Sequence, residues 1–158
     1  MTAPAPLDVA TILTALRDHA VGTGLFTAVH NHEPRAITTG LLVAGIWWTS
    51  SMPARGYSGL DATTMRVLFT CRVYTNANDE PRDEIDVRLL GGVDALMRAY
   101  TGDFTLGGLI REVDVLGRSG VPLAATSGYT PEQQNTAEKR IATITLPLIV
   151  NDLYEQET

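Results

Sequence analysis

The chain has 158 residues, 44% of them hydrophobic and 19% charged, with a net charge of −6 and an isoelectric point near 4.9. That length favours one domain, residues 1–158, with a core that needs no staples, and the composition excludes wholesale disorder. The acidic balance argues against sequence-independent binding to a phosphate backbone, and a single cysteine, Cys71, excludes an intramolecular disulfide.

Met1–Pro6 has neither a basic nor an apolar region of the kind that opens a secretory signal. No apolar run approaches the ~18 residues of a membrane-spanning helix. The first helix is predicted to start after Asp8, a good N-cap. Val9, Ile12, Leu13, Leu16 and Ala20 form its apolar stripe, and Gly22 and Gly24 end it. Leu25–His30 reads as a short extended piece. Leu41–Thr49 is apolar on both faces, the pattern of a strand covered on both sides, which includes Trp47 and Trp48 in core or interface. Ser50–Asp61 is too long and glycine-rich for a tight turn and reads as a projecting hairpin tip.

Thr63–Tyr74 returns as a strand. Met65, Val67, Phe69, Cys71 and Val73 share its apolar face, while Thr64, Arg66, Leu68, Thr70, Arg72 and Tyr74 make a wet or polar-paired one. After a turn at Asn76–Glu80, Pro81 suits the first turn of a helix, and Asp83, Glu84 and Asp86 suit its positive end. Ile85, Leu89, Val93, Leu96, Met97 and Tyr100 are its stripe, with Gly102 as C-cap. Gly91-Gly92 interrupts it and implies close approach of another backbone. Leu109–Leu116 reads as a strand with Val113 and Val115 on one face and Glu112 and Asp114 on the other. Gly117–Ala137 shows no periodicity and reads as a long loop with one helical turn at Pro131–Gln134. Lys139–Val150 is a long final strand with Ala142, Ile144, Leu146, Leu148 and Val150 on one face. Pro147, lacking an N–H, places an edge or a bulge there, and such a strand end suits pairing with a neighbour. The element order is that of an α+β protein.

The residues offer no catalytic constellation. His30-Asn31-His32-Glu33 puts two rings on one side of an extended segment, but a zinc site needs three or four ligands and the remaining histidine, His19, reads as a helix surface residue. A polar turn before Pro34 is the better reading, so no metal is expected. Cys71 reads as a buried small hydrophobe. Asp83, Glu84 and Asp86, and Glu112 and Asp114, read as solvated faces or subunit contacts rather than acid–base pairs. Gly91-Gly92 and Gly107-Gly108 are in no phosphate-cradling motif, and no serine sits in a nucleophile elbow. No enzymatic activity and no cofactor are expected.

Five segments carry a family resemblance: the opening helix Val9–His19; Leu41–Trp48 and Thr63–Tyr74 around the Met52–Asp61 excursion; Pro81-Arg82-Asp83-Glu84; and the ending Arg140–Asp152. In these the chain resembles the tail terminator proteins of long-tailed bacteriophages, particularly those infecting actinobacteria. The resemblance implies a mixed, mainly antiparallel sheet with two helices on one face, and a ring, usually a homohexamer. Such a ring caps the head-proximal end of the tail tube, stops its polymerisation, and offers a docking surface to a head-completion or neck connector protein. The implied partners are further copies of the chain, the major tail tube protein and that connector. DNA would pass through the lumen without sequence-specific binding, with no membrane involved. The implied location is the virion tail, and the host cytoplasm during assembly. Interface candidates are Trp47, Trp48, Met52, Arg55, Tyr57, Leu60, Arg66, Arg72 and Tyr129. The alternatives are another connector of the same virion, or a small cytoplasmic enzyme or ligand-binding domain.

Overall fold

The computed structural model describes residues 6–34, 42–54, 58–59, 62–78, 81–130 and 138–156. It is an α+β fold: two helices, α1 (Val9–Gly22) and α2 (Ile85–Gly102), and six strands, β1 (Ala28–His30), β2 (Val43–Pro53), β3 (Ala62–Asn76), β4 (Glu112–Val113), β5 (Ala124–Tyr129) and β6 (Lys139–Glu155). Asp8 caps α1 as its sequence position requires. Its carboxylate accepts from the Thr11 amide at 3.1 Å and the Thr11 hydroxyl at 2.7 Å. Pro81 precedes α2 by a 3₁₀ turn over Arg82–Glu84 rather than opening the α-helix itself.

The strands form one open sheet in the order β1-β2-β3-β6-β4, with β5 also paired to β6. Among the described residues only β1–β2 is parallel. Both helices lie on one face. Ile12, Leu16 and Ala20 of α1 and Leu89, Val93, Leu96 and Tyr100 of α2 pack on Ile46, Val67, Phe69, Cys71, Val73, Ala142, Ile144, Leu146 and Leu148. Tyr100 joins the helices by donating its buried hydroxyl to the Leu16 carbonyl at 2.9 Å. Cross-strand rows such as Ile46–Cys71–Ile144–Ala125 and Trp47–Thr70–Thr145–Ala124 fix which residues share a face. The first row faces the helices and the second the helix-free side.

Several expectations need correction. The final strand is not an edge: β6 lies between β3 and the pair β4 and β5. Pro147 is accommodated differently. Its carbonyl accepts from the Asp114 amide at 2.9 Å, so its nitrogen points to the same side, where β5 stops opposite Thr145 and β4 begins opposite Leu148. The missing donor therefore falls in the gap between two short strands. Gly117–Ala137 is not all loop, because β5 lies within it; the turn expected at Pro131–Gln134 falls outside the described residues. The strand over Leu109–Leu116 contracts to Glu112–Val113. Gly92 makes room for the Leu42 and Phe26 side chains, not a backbone, and Gly91 faces open space.

Candidate assembly surface

β2 changes character along its length. Val43–Ile46 are buried, as a doubly apolar strand should be, but Trp47 is only half-buried and Trp48 is 56% exposed. The two tryptophans alternate onto opposite faces. Trp47 lies on the helix-free side with the Arg72 guanidinium 5.3 Å above its ring. Trp48 shares a row with Phe69 and Leu146 on the helix side, beyond the helices' cover, and its indole N–H donates to Ser51 Oγ at 2.9 Å. A bulge at Thr49 separates Trp48 from Ser50 in the pairing with β3.

Arg72 donates to Thr143 Oγ1 at 3.0 Å and to Glu33 Oε1 at 3.3 Å. That pairing commits Glu33 away from the histidines. The rings of His30 and His32 do lie together, 5.2 Å apart, but among the described residues no three or more His, Cys, Asp or Glu side chains are grouped to hold a metal ion. His19 is not a plain surface residue: its Nε2 meets Asp103 Oδ2 at 2.9 Å and its ring packs edge-on to Tyr100. Cys71 is fully buried; burial pushes its thiol up to about 12, outweighing a hydrogen bond with Tyr100.

Arg66 is 8% exposed on the helix-free face, and its guanidinium donates to the Ser119 carbonyl and to the thioether of Met52. The strap Gly117–Gly120 that supplies this carbonyl is organised by Asp114. Its carboxylate accepts from Arg118 N at 2.9 Å, Ser119 N at 2.7 Å and Ser119 Oγ at 2.5 Å. Burial pushes the Asp114 carboxyl up, but these hydrogen bonds prevail and hold it below its ordinary value. Gly120, at φ +111°, stands so close that a Cβ there would lie 3.1 Å from Arg66 Nη1.

Tyr129 ends β5, exposed, with the Arg140 guanidinium 4.6 Å over its ring. Arg140 also bonds Asp86 Oδ1 at 2.9 Å, tying β6 to the start of α2. Met52 lies at the exposed end of β2. Arg55, Tyr57 and Leu60 lie outside the described residues. The structure thus groups Trp47 with Arg72, and Met52 with Arg66, while Tyr129 sits on the opposite side of the sheet.

Sequence reasoning missed the surface around β5. Among the described residues Ala124–Tyr129 pairs only with β6, on one side, and almost all of it is exposed. Beside it, an apolar groove of about 260 Å³ runs between β5 and α2, lined by Leu89, Leu90, Val93, Ala125, Ser127 and Arg140 among others. Leu90, 67% exposed, forms its rim. The available signal was the uncharged run Ala124-Ala125-Thr126-Ser127, masked by glycine and proline on both sides.

No protein-family model matches the chain, and no curated protein matches it. Among solved structures, the chain is similar to the sheath/tube terminator of an extracellular contractile injection system (PVC, extended state), determined by cryo-electron microscopy. The identity is 11% and the TM-score 0.36; all of this chain aligns, and it spans 60% of that one.

Proposed function

We propose that this chain is a structural subunit that assembles into a ring and ends a tail-like tube, the role implied by its resemblance to phage tail terminators. One observation carries the assembly reading. Among the described residues, a single sheet has two unpaired, uncharged edges on opposite sides, the outer half of β2 and all of β5. Monomeric proteins blunt such edges with lysine, proline, a bulge or a cover; β2 has only the bulge at Thr49 and Pro53 at its end, and β5 has none of these among the described residues. A contact between two different patches on identical copies is heterologous, and when its rotation closes it makes a ring. In this reading six copies stand on the head-proximal end of the tube. They contact the tube protein below and a head-completion or neck connector protein above, and leave a lumen for DNA. The chain performs no catalysis.

The test is the mass of the purified protein by light scattering, with and without tail tubes, followed by negative-stain imaging. A ring, alone or on tube ends, supports the proposal. A strict monomer that ignores tubes sinks it and moves a ligand-binding or enzymatic domain to first place.

A further inference from the structure

We infer the register of the contact between copies: β5 of one copy pairs antiparallel with Ile46–Met52 of the next, displaced by four rows along the sheet. This rests on the ring reading and adds to it the residues that meet.

Direction comes first. β2, β3, β6 and β5 are antiparallel in succession, so β5 runs opposite to β2. Copies placed side by side with the same orientation therefore bring β5 against the next β2 as an antiparallel pair. The sheet continues without reversal.

The outward-pointing groups come next. The Thr130 amide donates to the Lys139 carbonyl, and the Ala54 amide to the Thr64 carbonyl. Antiparallel alternation then turns the backbone groups of Ala124, Thr126 and Gly128 toward β6, and leaves those of Ala125, Ser127 and Tyr129 facing outward. On β2 the outward residues are Ile46, Trp48 and Ser51, with Pro53 offering only a carbonyl.

Every even displacement preserves the faces, and two, four and six are those that lay at least four of the six residues of β5 on the open stretch of β2. Numbering rows by β3, β5 occupies the rows of Thr70 to Thr75. β1 covers the β2 edge at Val43–Gly45, the rows of Tyr74 to Arg72. A displacement of two rows drives Gly128 and Tyr129 into that covered stretch. A displacement of six sets Ala125 against Pro53, which cannot donate. A displacement of four lays the six residues of β5 on the six open rows from Arg66 to Cys71, with Thr49 left out of this ladder as it is left out of the one with β3. It pairs Ala125 with Ser51, Ser127 with Trp48, and Tyr129 with Ile46 of the next copy, outward groups facing outward groups.

Side chains agree with this register. Trp48 of the next copy comes beside Ser127 on the helix side, over the groove between β5 and α2. An exposed tryptophan entering an apolar groove is the anchor such interfaces are built on. On the helix-free side Trp47 of the next copy comes opposite Gly128, whose missing side chain leaves the space open. An aromatic residue opposite an edge glycine is a recognised way of pinning register. Four strands per copy displaced by four rows also set the shear equal to the strand number, the ratio that in an eight-stranded barrel tilts strands by about 36°. Closed sheets fall at about 35–45°.

The experiment is oxidative cross-linking of the double variant Thr126→Cys/Ser50→Cys, an opposing pair in this register whose Cα atoms would stand about 4.5 Å apart. Within one copy these positions are three strand spacings and four rows apart, about 20 Å, too far for a disulfide. Cys71 is buried and stays out of the reaction. The expected result is a ladder of covalent oligomers ending at the ring. Companion variants pair Thr126→Cys with Met52→Cys or Trp47→Cys, the partners at displacements of six and two. If the protein assembles and either companion cross-links in place of Ser50→Cys, the register is wrong and the ring stands. If assemblies form and none cross-links, the β5–β2 joint is wrong. A protein that stays monomeric in solution and on tubes overturns both readings. Independently, Trp48→Ala should weaken assembly about thirtyfold with an unchanged thermal melt. An undiminished assembly would remove Trp48 from the joint.

Discussion

The inner and outer halves of β2 share one strand and one neighbour, β3, yet end in different surroundings. Val43–Gly45 have β1 on their free edge, Val43–Ile46 have the helices over one face, and all four are buried. Trp47–Pro53 have neither, and Trp48 in that half is 56% exposed. Neither half carries a charge, and each holds large apolar side chains, Val43 and Ile46 in one and Trp47, Trp48 and Met52 in the other. Apolarity alone therefore does not say what a strand is buried against. In the inner half it serves folding of the chain. In the outer half, the proposed ring would bury it against another copy.

The sharpest way to break this comparison uses one row of the sheet. Phe69 and Trp48 are paired directly, one 1% and the other 56% exposed. Phe69→Ala should cost about 3–5 kcal/mol of stability, the usual range for a large aromatic removed from a packed core. Trp48→Ala should stay within about 0.5 kcal/mol in the monomer. Urea melts at a concentration where the chain is monomeric would measure both. Equal losses would mean the outer half is part of the folding core after all.

The second prediction concerns the far side of β6, where β4 and β5 differ as the halves of β2 do. Beyond β4, the strap held by Asp114 reaches over the helix-free face to the Arg66 guanidinium, whereas β5 has no such cover among the described residues. The folded-state pKa of Asp114 is depressed, so its contribution is fully present above the unfolded value of about 3.9. It is lost as pH falls through the lower folded value. Asp114→Asn should lower stability at neutral pH by about 1–3 kcal/mol, the cost of weakening a buried, hydrogen-bonded acceptor. It should also flatten the acid limb of the stability profile. A variant whose stability falls below pH 4 as steeply as the parent's would mean that another carboxylate controls that limb.

Much of the fold was legible in the residues. Asp8, the stripe of α1, the alternation of β3 and the stripe of α2 are local patterns that tertiary packing reinforces. What misled was anything decided by a neighbour. Pro147 reads as an edge signal, yet the donor it lacks falls between β5 and β4, a gap set by strands that are distant in sequence. Thr126, Ser127 and Gly128 lack the alternating apolar face of a half-buried strand, because β5 is exposed in the monomer and is extended by its ladder to β6. Trp47 and Trp48 read as core or interface without distinction, because sequence shows their apolarity and not where the helices stop. Of the named interface candidates, Trp48 and Tyr129 lie beside edges left unpaired among the described residues, while Arg66 is engaged within its own chain.

The smallest stability effect belongs to the most specific change, a proline placed at the open edge. The backbone of Ala125 points away from β6, so Ala125→Pro removes no ladder hydrogen bond of the monomer, and its stability should change by less than about 1 kcal/mol. Thr126→Pro, one residue on, removes a donor that faces β6 and should cost about 1–3 kcal/mol. If β5 is a joint between copies, Ala125→Pro should yield a folded protein that light scattering finds monomeric at concentrations where the parent is a ring. Thr126→Pro would instead lower the melt and the assembly together. A ring that survives Ala125→Pro with its melt unchanged would show that the open edge of β5 is left to solvent, and would turn attention to the Phe104 and Leu116 groove on the β4 side as the apolar surface needing a partner.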